Sequence, residues 1–113
     1  MRSDEALLLD MLIASEKIVQ FTANLSPAQF ETSELHQSAV IRELQVIGEA
    51  ARMISEQGKA AHQEIEWGKI AGMRNRIIHE YFRLDLDLLW SAAHEDVPKL
   101  IEQLKPLIPP ESK

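Results

Sequence analysis

The chain reads as an all-α protein, an up-and-down bundle of four main helices with one short extra helix. Three observations predict this. Apolar residues recur at i, i+3, i+4 and i+7 over long stretches, no stretch alternates apolar with polar, and the breaks between stretches carry helix caps or prolines. At 113 residues a single domain is expected, over residues 1–108, with 109–113 as a C-terminal tail.

The first helix runs from Ser3 to about Asn24. Leu8, Leu12, Ser15, Val19 and Thr22 form its inward stripe, with Met11 and Ile18 alongside, and Ser3-Asp4-Glu5 supply a cap and first-turn acids. Ser26-Pro27 is an N-cap followed by proline at the first helical position, which starts a short helix through Phe30. After a connection to Thr32, the second long helix spans Ser33 to Gln57. Val40, Leu44, Ile47, Ala51 and Ile54 form its stripe, and Gly58 is its expected left-handed stop. Gly48 lies mid-helix, where glycine costs about 1 kcal/mol relative to alanine, so close approach of another backbone is expected there. Lys59 to Ile65 reads as polar loop. Trp67 opens the third helix, which continues through Ile70, Met73, Ile77 and Tyr81, and Arg83-Leu84-Asp85 is the next break, with Asp85 as cap. The fourth helix starts near Leu86 and carries Leu89, Trp90, Ala93, Val97, Leu100, Ile101 and Leu104. Pro98 should kink or divide it, and Pro106, Pro109 and Pro110 should end it.

Composition narrows the functional classes. Hydrophobic residues at 45% and charged residues at 27% support a packed core rather than a disordered chain. With no cysteine, disulfides, thiolate nucleophiles and cysteine metal sites are excluded, and a reducing compartment fits. The N-terminal residues have neither the basic region nor the long apolar run of a signal peptide, and no apolar run approaches the ~20 residues of a membrane span. A cytoplasmic protein is expected. The net charge of −6 argues against broad attraction to nucleic acid, so any RNA site must be a local basic cleft.

The third helix carries the chemistry. On a wheel of about 100° per residue, Ile77 and Tyr81 fall within about 20° of Ile70, and Arg74 lies about 40° to one side. Arg74 therefore stands within an apolar stripe, where a guanidinium needs a partner or a wet cleft. Asn75 and His79 are four apart and share a face, so the amide can orient the imidazole. Arg74 and His79 are five apart, about 140° around a regular helix. Either the helix loosens near Ile78, or a second chain completes the site. RNA cleavage needs a base, an acid and a cation for the developing phosphorane charge. A two-fold dimer would bring two copies each of His79 and Arg74 to one cleft, with Arg74 gripping phosphate bidentately. That chemistry needs no metal and no cofactor.

The string Arg74-Asn75-Arg76-Ile77-Ile78-His79-Glu80-Tyr81 resembles the R-x4-H-x-Y signature of the HepT-like branch of HEPN-domain proteins. Ile47-Gly48-Glu49-Ala50, Trp67 to Gly72 and Asp85 to Trp90 look like the same branch, so the likeness spans essentially the whole chain. It implies a HEPN helical bundle that forms a homodimer, with Arg74 and His79 of both protomers as the catalytic residues of a metal-independent endoribonuclease. It further implies a toxin of a type II/VII-like toxin–antitoxin system whose partner is an MNT-type nucleotidyltransferase antitoxin. Under the same resemblance, Asn75 becomes a site-orienting residue and Tyr81 the tyrosine that the partner modifies with AMP. Nucleotide phosphates there would occupy the cleft beside Arg74. Glu80 takes a position often filled by glycine in relatives. Two other readings stand beside this one: a non-catalytic nucleotide-binding or accessory subunit docked on a nucleotidyltransferase, and a structural dimer in which Arg74 pairs with a carboxylate such as Glu49.

Other signals are weaker. His62-Gln63-Glu64-Ile65-Glu66 has no metal-ligand spacing and reads as solvated loop. His36 and His94 read as exposed helical positions. Of the basic residues Arg42, Arg52, Lys69, Arg76 and Arg83, the candidates for RNA contact are Arg76 and Arg83, the nearest in sequence to the site.

Overall fold

The structure is a computed structural model and describes residues 2–80 and 83–109. Four long helical segments dominate: α1 (Asp4–Thr22), α3 (Glu34–Met53), α5 (Trp67–His79), and a composite last segment of α6 (Leu86–Ser91), a π-turn (Ala92–Asp96) and α7 (Val97–Leu104). Two short helices, α2 (Pro27–Glu31) and α4 (Glu56–Ala61), lie in the connections, and a 3₁₀ turn (Lys105–Leu107) follows α7. The described residues contain no strand. None of these helices is long and apolar enough to cross a membrane.

The caps explain most boundaries. The Ser3 side chain accepts from the Ala6 N–H, Ser26 and Gln29 form a reciprocal capping box before Pro27, and the Asp85 carboxylate accepts from the Asp87 N–H at 2.9 Å. Each satisfies amides that a helix start leaves open. Along α1, the expected Ser15 and Thr22 are buried because their hydroxyls donate to the carbonyls of Met11 (2.7 Å) and Ile18 (2.9 Å), four residues back. Val19, expected in the same stripe, is instead exposed, at 36%, on the edge of α1.

The second long helix is shorter than expected. It ends at Met53, Ile54 turns extended, and Ser55 caps a separate helix, α4. Gly58 is therefore not a left-handed stop; among the described residues no glycine has a positive φ. The chain breaks at Ile54 because α1 captures the turn. Asp4 accepts from both the Ser55 hydroxyl (2.5 Å) and the Ser55 N–H (2.9 Å). A Cβ at Gly58 would strike the Asp4 carboxylate and Ile54, so the glycine serves close packing. The following segment is also more ordered than a solvated loop. Lys59–Ala61 is helical, Ile65 is buried, and the Trp67 indole N–H donates to the His62 carbonyl at 3.0 Å. His36, expected to be exposed, is half-buried, with its Nδ1 2.6 Å from the Ser33 hydroxyl at the α3 cap.

Pro98 divides the last segment as expected. A proline has no N–H to give the preceding turn and crowds the carbonyl four residues back. The preceding turn widens into the π-turn, in which the Val97 N–H reaches the Ala92 carbonyl. This keeps Leu89, Ala92, Ala93, Val97, Leu100 and Leu104 all on the buried side.

The Asp4–Ser55 clasp gives a pH prediction. The two Ser55 hydrogen bonds, the hydroxyl's first, hold the Asp4 carboxyl below its ordinary range. A carboxyl with a depressed folded pKa stabilises the fold above its unfolded pKa, near about 3.9, and that stabilisation is lost as pH falls through the lower folded value. Asp4→Asn is expected to lower the melting temperature at neutral pH. It should also melt with a shallower pH dependence than the wild type at and below about pH 4. Thermal melts of both proteins across this range check it.

Candidate active site

The α3–α5 contact builds the site. Ile77 is fully buried, and Ile70 and Met73 pack partly against the core. This sets Arg74 at the margin of the contact, with a side chain 22% exposed. It crosses α3 at Gly48: a Cβ there would lie 2.7 Å from the Arg74 Cβ and 3.0 Å from its Cγ. The close approach expected at Gly48 is present, made by the stem of Arg74.

The guanidinium is held on two sides. Nε donates to Glu49 Oε1 at 2.5 Å, and Nη1 donates to Asn75 Oδ1 at 3.2 Å. No described residue engages Nη2, which leaves its N–H groups for an anion. The Arg74 hydrogen bond, ahead of the Arg74 and Arg52 charges, holds the Glu49 carboxyl below its ordinary range, against the opposing effect of burial. Glu49 is thus ionised at neutral pH. Its Oε2 lies 3.6 Å from Arg52 Nη2, so one carboxylate stands between two guanidinium groups.

His79 is the last residue of α5 and is exposed. The helix does not loosen at Ile78; it stays α-helical to His79, and the Glu80 N–H closes on the Arg76 carbonyl. Arg74 and His79 therefore diverge by about 140° and stand about 7.5 Å apart along the axis. Asn75 engages Arg74 rather than His79, because the guanidinium is its immediate neighbour and the imidazole extends toward solvent at the helix end. Between the two lies an uncovered face of α5. Gly68 and Gly72 have open space where a Cβ would be, and Ile78 is 45% exposed.

The remaining candidates scatter. Arg76 lies about 160° around the helix from Arg74 and faces Glu80 Oε2 at 3.8 Å. Arg83 is exposed, its N–H bonded to the Glu80 carbonyl at 2.8 Å. Tyr81 lies outside the described residues. The Glu49 link to Arg74, expected only for a structural dimer, is present, while its second link to Arg52 had no sequence signal beyond the i,i+3 spacing. His94 is exposed, as expected, and its ring stacks on Trp90 with centroids 3.7 Å apart.

Comparison with known proteins gives the family. The family described as Ribonuclease HepT-like matches residues 11–107. A protein of Methanocaldococcus jannaschii named "Putative RNase MJ1380" is 35% identical over 104 residues, covering 92% of this chain and 95% of the relative. One of Thermococcus cleftensis named "Probable ribonuclease HepT" is 40% identical over 99 residues, covering 88% and 90%. No solved structure matches the chain. The matched span takes in α3, α5 and the last helical segment, with Gly48, Arg74 and His79 inside it, and the chain belongs to the HepT-like ribonuclease family.

Proposed function

We propose that the protein is a metal-independent endoribonuclease whose active site is composite, formed by Arg74 and His79 of two copies of the chain. The observation that carries this reading is the divergence of the two side chains on an unbroken helix, with an uncovered face of small residues and Ile78 between them. A second α5 laid on that face by a two-fold axis brings two imidazoles and two guanidinium groups to one cleft.

The chemistry follows from the residues. One His79 takes the proton of a ribose 2′-hydroxyl, whose oxygen attacks the adjacent phosphorus. The second His79 gives a proton to the departing 5′-oxygen, leaving a 2′,3′-cyclic phosphate and a 5′-hydroxyl. The unengaged Nη2 of Arg74 binds a non-bridging oxygen, where negative charge grows in the transition state. Glu49 and Asn75 hold the guanidinium still, so little reorganisation is needed as the charge develops. Arg76 and Arg83 remain candidates for more distant RNA contacts.

The biological setting rests on the family resemblance. The nuclease acts as the toxin of a toxin–antitoxin pair, silenced by an MNT-type nucleotidyltransferase that modifies Tyr81 with AMP. The Arg74–Glu49 pair favours one competing reading, in which Arg74 serves stability alone. Purified protein separates them. It should shorten RNA in the presence of EDTA, and Arg74→Ala should lower the rate by at least about 10²-fold. A structural role predicts instead a lower melting temperature with cleavage preserved. Intact RNA together with a stable nucleotidyltransferase complex would identify an accessory subunit.

A further inference from the structure

We propose that Arg52 is a substrate-binding residue of this site, holding the RNA phosphate next to the scissile one; the proposal rests on the ribonuclease reading above. Its basis is the shared carboxylate. Glu49 meets Arg74 through Oε1 and Arg52 through Oε2, so two cations from different helices converge on a single anion and the cluster keeps one net positive charge. A phosphodiester presents the same pair of anionic oxygens as a carboxylate, and guanidinium groups bind both in the same fork geometry. RNA bound at Arg74 therefore meets a second cation already placed beside the first.

Three other basic side chains are more tightly committed. Arg42 donates to the buried Glu43 at 2.7 Å, Lys69 to Asp96 at 2.8 Å, and Arg2 contacts Asp10 at 3.0 Å. Arg52 holds Glu49 only at 3.6 Å, and its side chain is 62% exposed, so it can swing to a phosphate without leaving a buried charge unpaired. The way past it is open. Beyond Glu49, a trough of about 360 Å³ runs between α1 and α3 over Leu7, Val46 and Ala50, leaving room for the strand that leaves the cleft. The path for RNA thus follows α3 as well as the end of α5.

The test measures binding and cleavage of a single-stranded oligonucleotide at several salt concentrations, using a version with 2′-deoxy sugars for binding and the all-ribose version for cleavage. Compared are the wild type, Arg52→Ala, Arg52→Lys and, as a control, Lys17→Ala. Arg52→Ala should weaken binding and raise KM by about tenfold, as expected for one charge-assisted contact. Its kcat should stay near the wild-type value. The slope of log affinity against log salt should shrink by about 0.7, the share of one phosphate contact in a single strand. Arg52→Lys should keep the slope, and Lys17→Ala, an exposed cation on α1 outside the lining of that trough, should match the wild type. Wild-type binding and slope in Arg52→Ala would overturn the proposal. So would a fall in kcat at unchanged KM, which would mean that Arg52 acts only by positioning Arg74 through Glu49. A wild type that binds RNA without cleaving it would refute the nuclease reading separately.

Discussion

His79→Ala is expected to reduce RNA cleavage by about 10²–10⁴-fold, the usual contribution of a positioned acid–base group. In the proposed composite cleft the loss falls toward the upper end, because a single substitution removes both proton carriers. The fold should hardly respond. His79 is exposed at the end of α5, and surface substitutions away from caps and networks usually shift stability by less than about 0.5 kcal/mol. Rate measurements on labelled RNA, paired with thermal melts, check both halves. A large fall in melting temperature together with modest loss of cleavage would assign His79 a structural role.

Gly48→Ala carries the second large effect, and its sign is the informative part. Helix propensity alone predicts that alanine stabilises α3 by about 1 kcal/mol. The new methyl would stand 2.7 Å from the Arg74 Cβ, an atom fixed to the α5 backbone that cannot swing away. α5 must then move off α3, a form of overpacking that costs about 1–3 kcal/mol. The expected result is net destabilisation in urea unfolding, with a loss of cleavage larger than stability explains, because Arg74 leaves the reach of Glu49. Gain of stability with full activity would show that the α3–α5 spacing is not tuned for Arg74.

What was readable in the sequence divides along a physical line. Caps and prolines act over a few residues, so the starts of α1, α2 and the last helical segment, and the division at Pro98, follow from local chemistry. Arg74 within the apolar stripe and the tight contact at Gly48 were legible for the same reason, since helical periodicity fixes which face a residue occupies. The misplaced end of α3 is different. It depends on Asp4 reaching Ser55 across about 50 positions of chain, and nothing in the Ser55–Gly58 segment itself signals that capture. Val19 was assigned to the core by spacing, but it lies at the margin of the buried stripe and is 36% exposed. At the site, the hydrogen bond expected from Asn75 to His79 obeyed the i,i+4 rule, but Arg74 lay closer and offered a charged donor. The role of Glu49 as the link between Arg52 and Arg74 depends on how two helices cross, which spacing along either helix does not reveal.

The composite cleft can be tested most directly with a mixed dimer. Wild-type and His79→Ala chains carrying different tags are co-expressed, the heterodimer is isolated by two affinity steps, and its RNA cleavage rate is compared with that of the wild-type homodimer. A cleft in which one imidazole acts as base and the other as acid predicts a rate far below half that of the wild type, close to the His79→Ala homodimer. A rate of half the wild type would contradict it, showing that each chain cleaves RNA with its own Arg74 and His79.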